Sequence, residues 1–216
     1  IIICSPMQVK IFLLFLIVLV KGDDDPLYET LIGVEATGDY GNSAYRIANK
    51  IPRDDFEIQT IGDSPNNPIS NAFDDKATFW VGNVPITPET PYPLIFTFSK
   101  LKCIESIIYM PAYSTNRYVS PQTRTYFGFP LVLKVYISIG DSPYQLKYIF
   151  NTNPTNTDLW DAVQMVFTKP IWCDKLKIEF VNVTFDSFFL NLYTPTIQNI
   201  YLMTAKLDNT KQAVSP

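Results

Sequence analysis

The feature that most limits the fold of this chain is the division of its sequence into short apolar stretches by proline and turn residues. The 216 residues include 17 prolines, and each proline removes a backbone donor that the middle of a helix or a central strand needs. Between these breaks, apolar and polar residues alternate, as in Leu131–Ile139, where every second residue from Leu131 to Ile137 is apolar. A period of two is typical of strands with one buried face. The sequence therefore predicts an all-β fold.

The same pattern predicts where the strands lie. Clusters of turn residues such as Gly140-Asp141-Ser142-Pro143 separate the predicted strands. The segment 113–127 is polar and aromatic, and we expect a long loop there, because long connections between strands often carry function. The predicted strands are Phe56–Thr60, Leu94–Phe98, Ile104–Met110, Leu131–Ile139, Tyr144–Phe150, Val163–Phe167, Lys175–Val181 and Ile197–Met203.

The composition excludes several functions. The chain has no histidine, which rules out a Ser-His-Asp triad, a Cys-His dyad and a histidine-based zinc site. The carboxylates that a glycosidase pair would need are scattered over turns and strands. The 17 basic residues are outnumbered by 21 acidic ones and form no cluster, so nucleic acid is not an expected partner. We therefore expect no enzymatic activity. The scattered carboxylates are those of Asp141, Asp158, Asp161, Asp174 and Glu179.

The N-terminal segment has the pattern of a secretion signal. Lys10 follows Met7, the predicted start, and the apolar run Ile11–Val20 then leads to Asp23-Asp24-Asp25. The run is shorter than the about 20 apolar residues that span a bilayer. A retained anchor or a buried core segment is the alternative. We expect residues 1–22 to be upstream residues and a signal peptide, 23–52 an extension, 53–205 the domain and 206–216 a polar tail, in a protein that is secreted or on the cell surface.

Two cysteines lie within the predicted domain, since Cys4 precedes the predicted start. Cys103 and Cys173 form one disulfide in an oxidising compartment, or they are two buried thiols that behave as small apolar residues. Both alternatives stay open. Asn182-Val183-Thr184 is a glycosylation sequon, which fits secretion.

The stretch Asn71–Trp80 resembles a known signature. Its Asn-Ala-Phe-Asp start and Thr-Phe-Trp end match the pattern of the galactose-binding-like superfamily, which includes discoidin or coagulation factor 5/8 type C domains and family 32 carbohydrate-binding modules. Asp75 stands where the family has glycine. The later predicted strands follow in the family's order, so that the resemblance covers about Pro52 to Ala205. It implies a jelly-roll β-sandwich.

By this resemblance, a structural Ca²⁺ site is expected beside the signature. The family's ligands are the Asp of the loop, the Thr four residues later, backbone carbonyls and an acidic residue on the last strand. Asp74 and Thr78 match, whereas Gln198 occupies the last position and would weaken binding, since affinity follows ligand charge. The alternative is that Asp74 only accepts backbone hydrogen bonds in a turn.

The resemblance also implies a ligand site in loops at one end of the sandwich. Trp80 or Trp160 are candidate platforms for a sugar ring, although Trp80 also suits a core position. Pro111-Ala112 lacks the arginine that the family often has after this proline, so Arg117 or Arg124 would have to replace it. The alternative is that the aromatic residues cover the core and the arginines are solvated. The candidate ligand-binding residues are Tyr113, Arg117, Tyr118, Arg124 and Tyr126.

Three functions remain consistent with the sequence. The first is a secreted module that binds cell-surface or matrix glycans. The second is an adhesion module for protein or phospholipid headgroups, with Tyr126-Phe127 as an exposed apolar tip. The third is an accessory fragment of a larger glycoside hydrolase or M60-like peptidase. A glycan partner, with or without a membrane surface, is the expectation.

Overall fold

The structure is a computed structural model that describes residues 29–31, 34–36, 50–115, 124–152, 162–187 and 189–204. Only the backbone is described for 29–31, 34–36, Thr115 and Arg124. The predicted signal peptide, the polar tail and most of the 23–52 extension lie outside these residues. No described residue belongs to a helix with the length and apolar character needed to cross a membrane.

Regular structure in the described residues is strand, apart from two 3-10 helices at Arg53–Asp55 and Ile69–Phe73. This agrees with the alternating sequence and its many prolines. The strands are β1 (Glu29–Leu31), β2 (Val34–Ala36), β3 (Phe56–Thr60), β4 (Trp80–Val81), β5 (Tyr92–Thr115), β6 (Arg124–Phe127), β7 (Pro130–Ser138), β8 (Gln145–Asn151), β9 (Val163–Val183) and β10 (Thr196–Thr204).

Two long strands, β5 and β9, build both layers of a sandwich. The first part of β5 pairs with the second part of β9, from Tyr92↔Phe180 to Thr97↔Lys175, and these parts continue into β3 on one side and β7, β8 and β1 on the other. After a register shift, the pairing resumes at Lys102↔Cys173, and this part of β5 pairs with β10, β6 and β9. β4 extends β10, and β2 pairs with the first part of β9.

One apolar core lies between the layers. It contains Leu133 and Phe180 from the first layer and Ile107, Met165 and Leu202 from the second. Burying a side chain of this size is worth roughly 1.5–3 kcal/mol relative to leaving it exposed. The largest fully buried side chains are Trp80, Tyr92, Tyr109, Phe96, Phe129, Phe150 and Phe180.

The predicted strands are confirmed, with differences at four places. Val163–Phe167 and Lys175–Val181 are parts of one strand, β9. Leu94–Phe98 and Ile104–Met110 are parts of one strand, because a register shift bends β5 without ending it. The predicted loop at 113–127 begins and ends as a hairpin, in which Ala112 pairs with Phe127 and Thr115 with Arg124. In the extension, for which we predicted no strand, β1 pairs with β8 in parallel and β2 with β9 in antiparallel orientation.

The two cysteines are not bonded to each other in this structure. Cys103 lies opposite Trp172, and Cys173 lies opposite Lys102. Since successive residues of a strand face opposite sides of the sheet, the two thiols face opposite sides. Cys173 is fully buried in the core, while Cys103 is partly exposed. Of the two alternatives, this arrangement favours free thiols, of which only Cys173 is buried.

Candidate functional site

The loops at one end of the sandwich are tied together by hydrogen bonds between their backbones. The Gly82 N–H donates to Pro195 O at 3.0 Å, the Ile86 N–H to Tyr193 O at 2.7 Å, and the Thr196 N–H to Gly128 O at 3.1 Å. The loop 184–195, which connects β9 to β10, contacts the loop 82–91 before β5. It also contacts the turn at 128–129 before β7, where the Thr184 N–H donates to Phe129 O at 2.8 Å. We call this surface the loop end.

A buried carboxylate fixes the shape of the loop 184–195. The Asp186 side chain is fully buried. Its Oδ1 accepts the Phe189 N–H at 3.0 Å, and its Oδ2 accepts the Thr196 hydroxyl at 3.4 Å. The Asp186 N–H donates to Leu192 O at 2.8 Å, which narrows the loop at its base. The bonds that shape the base of the loop therefore come from a buried side chain and the backbone, and not from its exposed side chains.

Two exposed aromatic rings lie on this loop, on either side of its narrow base. Phe185 and Tyr193 are 43% and 55% exposed. Their centroids are 5.2 Å apart with an interplanar angle of 60°, an edge-to-face pair. Large apolar side chains in a folded domain are mostly buried, so an exposed aromatic pair on a fixed loop is a candidate contact surface for a ligand.

Neither ring was singled out in the sequence, although a signal for them exists. The segment Thr184–Pro195 is a 12-residue connection between two strands that contains Phe185, Phe188, Phe189 and Tyr193. Such a density of aromatic residues in a long connection points to function or to core packing, and burial decides between them. Phe189, for example, packs on Phe79 with a centroid distance of 5.5 Å.

The structure places two of the predicted ligand-binding tyrosines against the core. Tyr126 is 6% exposed and packs edge-to-face on Phe129 at 5.0 Å. Tyr113 is half-buried, and its ring centroid is 6.1 Å from that of Tyr126. Phe127 is 7% exposed, so the expected exposed tip at Tyr126-Phe127 is corrected. Tyr113 and Tyr126 lie opposite each other in the hairpin and face the same side, on which Tyr126 belongs to the core.

The other predicted residues are described in part or not at all. The structure gives only the backbone of Arg124, which pairs with Thr115 in the hairpin. Arg117, Tyr118 and Trp160 lie outside the described residues. Asn182 is exposed on β9, and its glycosylation stays a prediction.

Trp80 is a core residue, and this corrects its assignment as a candidate platform. It has no exposed surface, and its Nε1 donates to Asp63 Oδ1 at 3.0 Å. Asp63 also accepts the Thr60 hydroxyl at 2.9 Å and the Ile69 N–H at 3.1 Å. Burial, together with the nearby Asp63 charge, raises the pKa of Tyr92 to about 12. This network fixes the turn after β3 and leaves no group free for a ligand.

The three residues predicted to bind Ca²⁺ do come together, around the backbone of Lys76. Asp74 Oδ1 accepts the Lys76 N–H at 2.9 Å, and its Oδ2 accepts the Thr78 hydroxyl at 2.7 Å. Gln198 Nε2 lies 3.4 Å from Lys76 O. Burial tends to raise the pKa of the Asp74 carboxyl, but the hydrogen bonds from Thr78 and Lys76 and the Lys76 charge together lower it.

This donor set does not fit a calcium ion. Calcium takes six to eight oxygen ligands, and carboxylates supply most of the affinity. Here both Asp74 oxygens accept hydrogen bonds, and Gln198 presents N–H groups to the loop. Among the described residues, no group of three or more His, Cys, Asp or Glu side chains is placed to hold a metal.

Solved structures of family 32 carbohydrate-binding modules from Clostridium perfringens share this fold. The tandem CBM32-1 and CBM32-2 domains of ZmpB match with a TM-score of 0.59 and 19% identity, over 80% of this chain and 42% of that one. The CBM32-3 module of a family 31 glycoside hydrolase matches with a TM-score of 0.56 and 12% identity, over 74% and 97%. The family 32 module of NanJ, solved in complex with galactose, matches with 0.51 and 16%, over 71% and 97%.

These similarities show that the chain has the β-sandwich fold of the family 32 modules, which confirms the fold predicted from the resemblance at Asn71–Trp80. The chain spans less than half the length of the tandem ZmpB structure. No protein-family model matches the sequence, and no curated protein matches it significantly.

Proposed function

We propose that this chain is a non-catalytic glycan-binding module that holds a sugar at the loop end, with Phe185 and Tyr193 as its aromatic contacts. The observation that carries the proposal is the exposed ring pair, 5.2 Å between centroids. It lies on a loop of fixed shape in a fold shared with the NanJ module, which was solved in complex with galactose.

The chemistry of the pair suits a pyranose. The C–H face of a sugar is apolar and covers an aromatic ring, while its hydroxyls need donors and acceptors. Because the two rings meet edge to face, their surfaces form a corner. A sugar that packs on one ring would therefore have the other ring at its side. The Tyr193 hydroxyl is both a donor and an acceptor.

Further hydrogen-bonding groups are proposed from the segment that joins β5 to β6. That segment follows the Thr115↔Arg124 end of the hairpin, and the other end, Ala112↔Phe127, precedes the turn at 128–129. The segment carries Arg117 and Tyr118, and Arg124 is the first residue of β6. Their guanidinium and hydroxyl groups are suited to sugar hydroxyls. Trp160 remains a proposed second platform. Secretion, or a position on the cell surface, is proposed from the N-terminal pattern of charge and apolar residues.

To test the proposal, the binding of galactose, N-acetylgalactosamine and a panel of other mono- and disaccharides to the full chain is measured by isothermal titration calorimetry. Tyr193→Ala and Phe185→Ala are expected to weaken binding by about tenfold or more, which corresponds to about 1.4 kcal/mol. Both side chains are exposed, so we expect the thermal unfolding of the variants to change little.

Trp172→Ala is the matched control. Trp172 is 48% exposed, similar to Phe185 and Tyr193, but lies on β9 opposite Cys103, away from the loop end. Sugar affinity should be unchanged in this variant. Binding lost in Trp172→Ala but kept in Tyr193→Ala would place the site elsewhere. No binding to any sugar, together with binding to vesicles that contain anionic lipid, would favour phospholipid adhesion and overturn the proposal.

A further inference from the structure

The loop 74–78 is closed by two amide side chains that approach one carbonyl oxygen. Asn199 Nδ2 lies 3.1 Å from Lys76 O, and Gln198 Nε2 lies 3.4 Å from the same atom. Both groups donate hydrogen bonds. In the superfamily that the sequence resembles, a cation is expected beside this loop, and the loop's carbonyls would face it. A carbonyl oxygen has two lone pairs, and an N–H donor and a cation compete for them. Two donors on Lys76 O therefore leave no lone pair for a cation.

An irregularity of β10 explains why two consecutive side chains reach the same atom. In a regular strand, Gln198 and Asn199 would face opposite sides of the sheet. The pairing of β10 with β5 shifts between Ile197↔Pro111 and Asn199↔Met110, which marks a bulge at Gln198. A bulge re-aims the side chains next to it. We call the contact of Gln198 and Asn199 with Lys76 O the amide clasp.

The charges around the loop support a closure without a cation. The Asp75 carboxylate, which follows Asp74, is 2.6 Å from Lys50 Nζ. Asp75 also has a backbone φ of 57°, the left-handed conformation that suits the glycine of the family at this position. The loop itself carries Lys76. Asp74 is thus the one carboxylate of this loop that is not paired with a lysine, and its two oxygens already accept hydrogen bonds.

We infer that the amide clasp takes the place of a calcium ion, so that the domain holds this loop closed, and reaches its full stability, without Ca²⁺. Asn199 is the main contributor, because its contact is the shorter one and its side chain is 3% exposed. Ligation of a cation by Asn199 would require the amide to rotate and present Oδ1, which is buried here without a hydrogen-bond partner. The inference does not depend on what the loop end binds.

Thermal unfolding of the full chain tests this in EDTA and in Ca²⁺ at millimolar concentration. The wild-type midpoint is expected to be the same in both. Asn199→Ala is expected to lower it by about 3 °C or more in both solutions, since the Lys76 carbonyl loses its closer, partly buried donor. Asn199→Asp and Gln198→Glu place a carboxylate next to Lys76 O. They should be destabilised in EDTA and recover with Ca²⁺, because the oxygen set then resembles a calcium site.

Gln145→Glu is the control for added negative charge, since Gln145 is exposed on β8, and it should show no response to Ca²⁺. A wild-type midpoint that rises in Ca²⁺, and whose rise is lost in Asp74→Asn, would overturn the inference. So would an Asn199→Ala midpoint equal to that of wild type. Neither outcome bears on sugar binding, which is measured on different residues.

Discussion

At the scale of single residues, burial rather than residue type decides what a side chain does in this protein. Trp80 and Tyr193 are both aromatic residues with a polar group, but one is fully buried and the other is 55% exposed. Cys103 and Cys173 differ in the same way, although they lie on neighbouring strands. These environments depend on the strand that lies opposite each residue. Residue type alone therefore could not distinguish an exposed aromatic residue, which can contact a sugar, from one that is buried in the core.

The two cysteines should therefore react at different rates. Burial, then the nearby Asp174 charge and Cys103, raise the pKa of the Cys173 thiol to about 12. The thiolate is the nucleophile, and at pH 8 only about one Cys173 in ten thousand would be ionised. Burial and Glu105 also raise the pKa of Cys103, but this residue is partly exposed. In a chain with Cys4 replaced by serine, iodoacetamide at pH 8 should modify Cys103 first, and Cys173 only after unfolding, as followed by mass spectrometry.

Cys103→Ser is the control for this experiment, because it should leave the native protein almost unmodified. A native protein in which neither thiol reacts until a reductant is added would mean that the two cysteines are bonded. That result would restore the disulfide and contradict the strand register described above.

At the scale of secondary structure elements, the alternating pattern predicted the position of most strands. Phe56–Thr60 is β3 with the same bounds, and Leu133, Val135 and Ile137 face the core as the alternation in β7 indicated. The pattern could not show that β5 and β9 continue through their bends, since a bend depends on register between strands. It also did not reveal β1 and β2, which are three residues each. Short strands carry too few residues for a period to be visible.

Two turn glycines offer a matched pair for testing the loop end. Gly128 and Gly140 have φ values of 56° and 60°, so Ala at either position pays about 1–2 kcal/mol for the left-handed conformation. A Cβ at Gly128 would also lie 2.2 Å from Thr194 O, whereas at Gly140 it meets nothing within 4 Å. Gly128→Ala should therefore lower the free energy of unfolding by about 3 kcal/mol or more, and Gly140→Ala by about 1–2 kcal/mol, as measured by urea titration. Equal losses of unfolding free energy in the two variants would show that the loop end accommodates a Cβ at Gly128 without a clash.

At the scale of the whole molecule, β5 and β9 join the two layers covalently, since each strand runs through both. Neither layer can lose its pairing without disrupting the other. We therefore expect a single cooperative transition in urea, with the same midpoint by tryptophan fluorescence and by far-UV circular dichroism.

Leu133→Ala is the variant that examines this cooperativity. Leu133 is 1% exposed and lies in the first layer, and its truncation should cost about 2–5 kcal/mol. Trp80 belongs to the second layer through β4. Both signals should shift to the same lower midpoint. Two separate midpoints in the variant would mean that the layers unfold independently.

In the loop 184–195, the residues that determine its conformation are different from the residues whose side chains it exposes. Asp186 and Thr196 hold its conformation from inside the protein, and Gly82 and Gly128 anchor it through backbone atoms. The side chains of Phe185 and Tyr193 contribute exposed surface but none of these bonds. The displayed positions are thus free to diverge while the scaffold stays constant, much as hypervariable positions do in an antibody loop. Exchanges at Phe185 and Tyr193 would change the surface that the loop presents without removing the bonds that shape it, and this division makes the loop a site for engineered recognition.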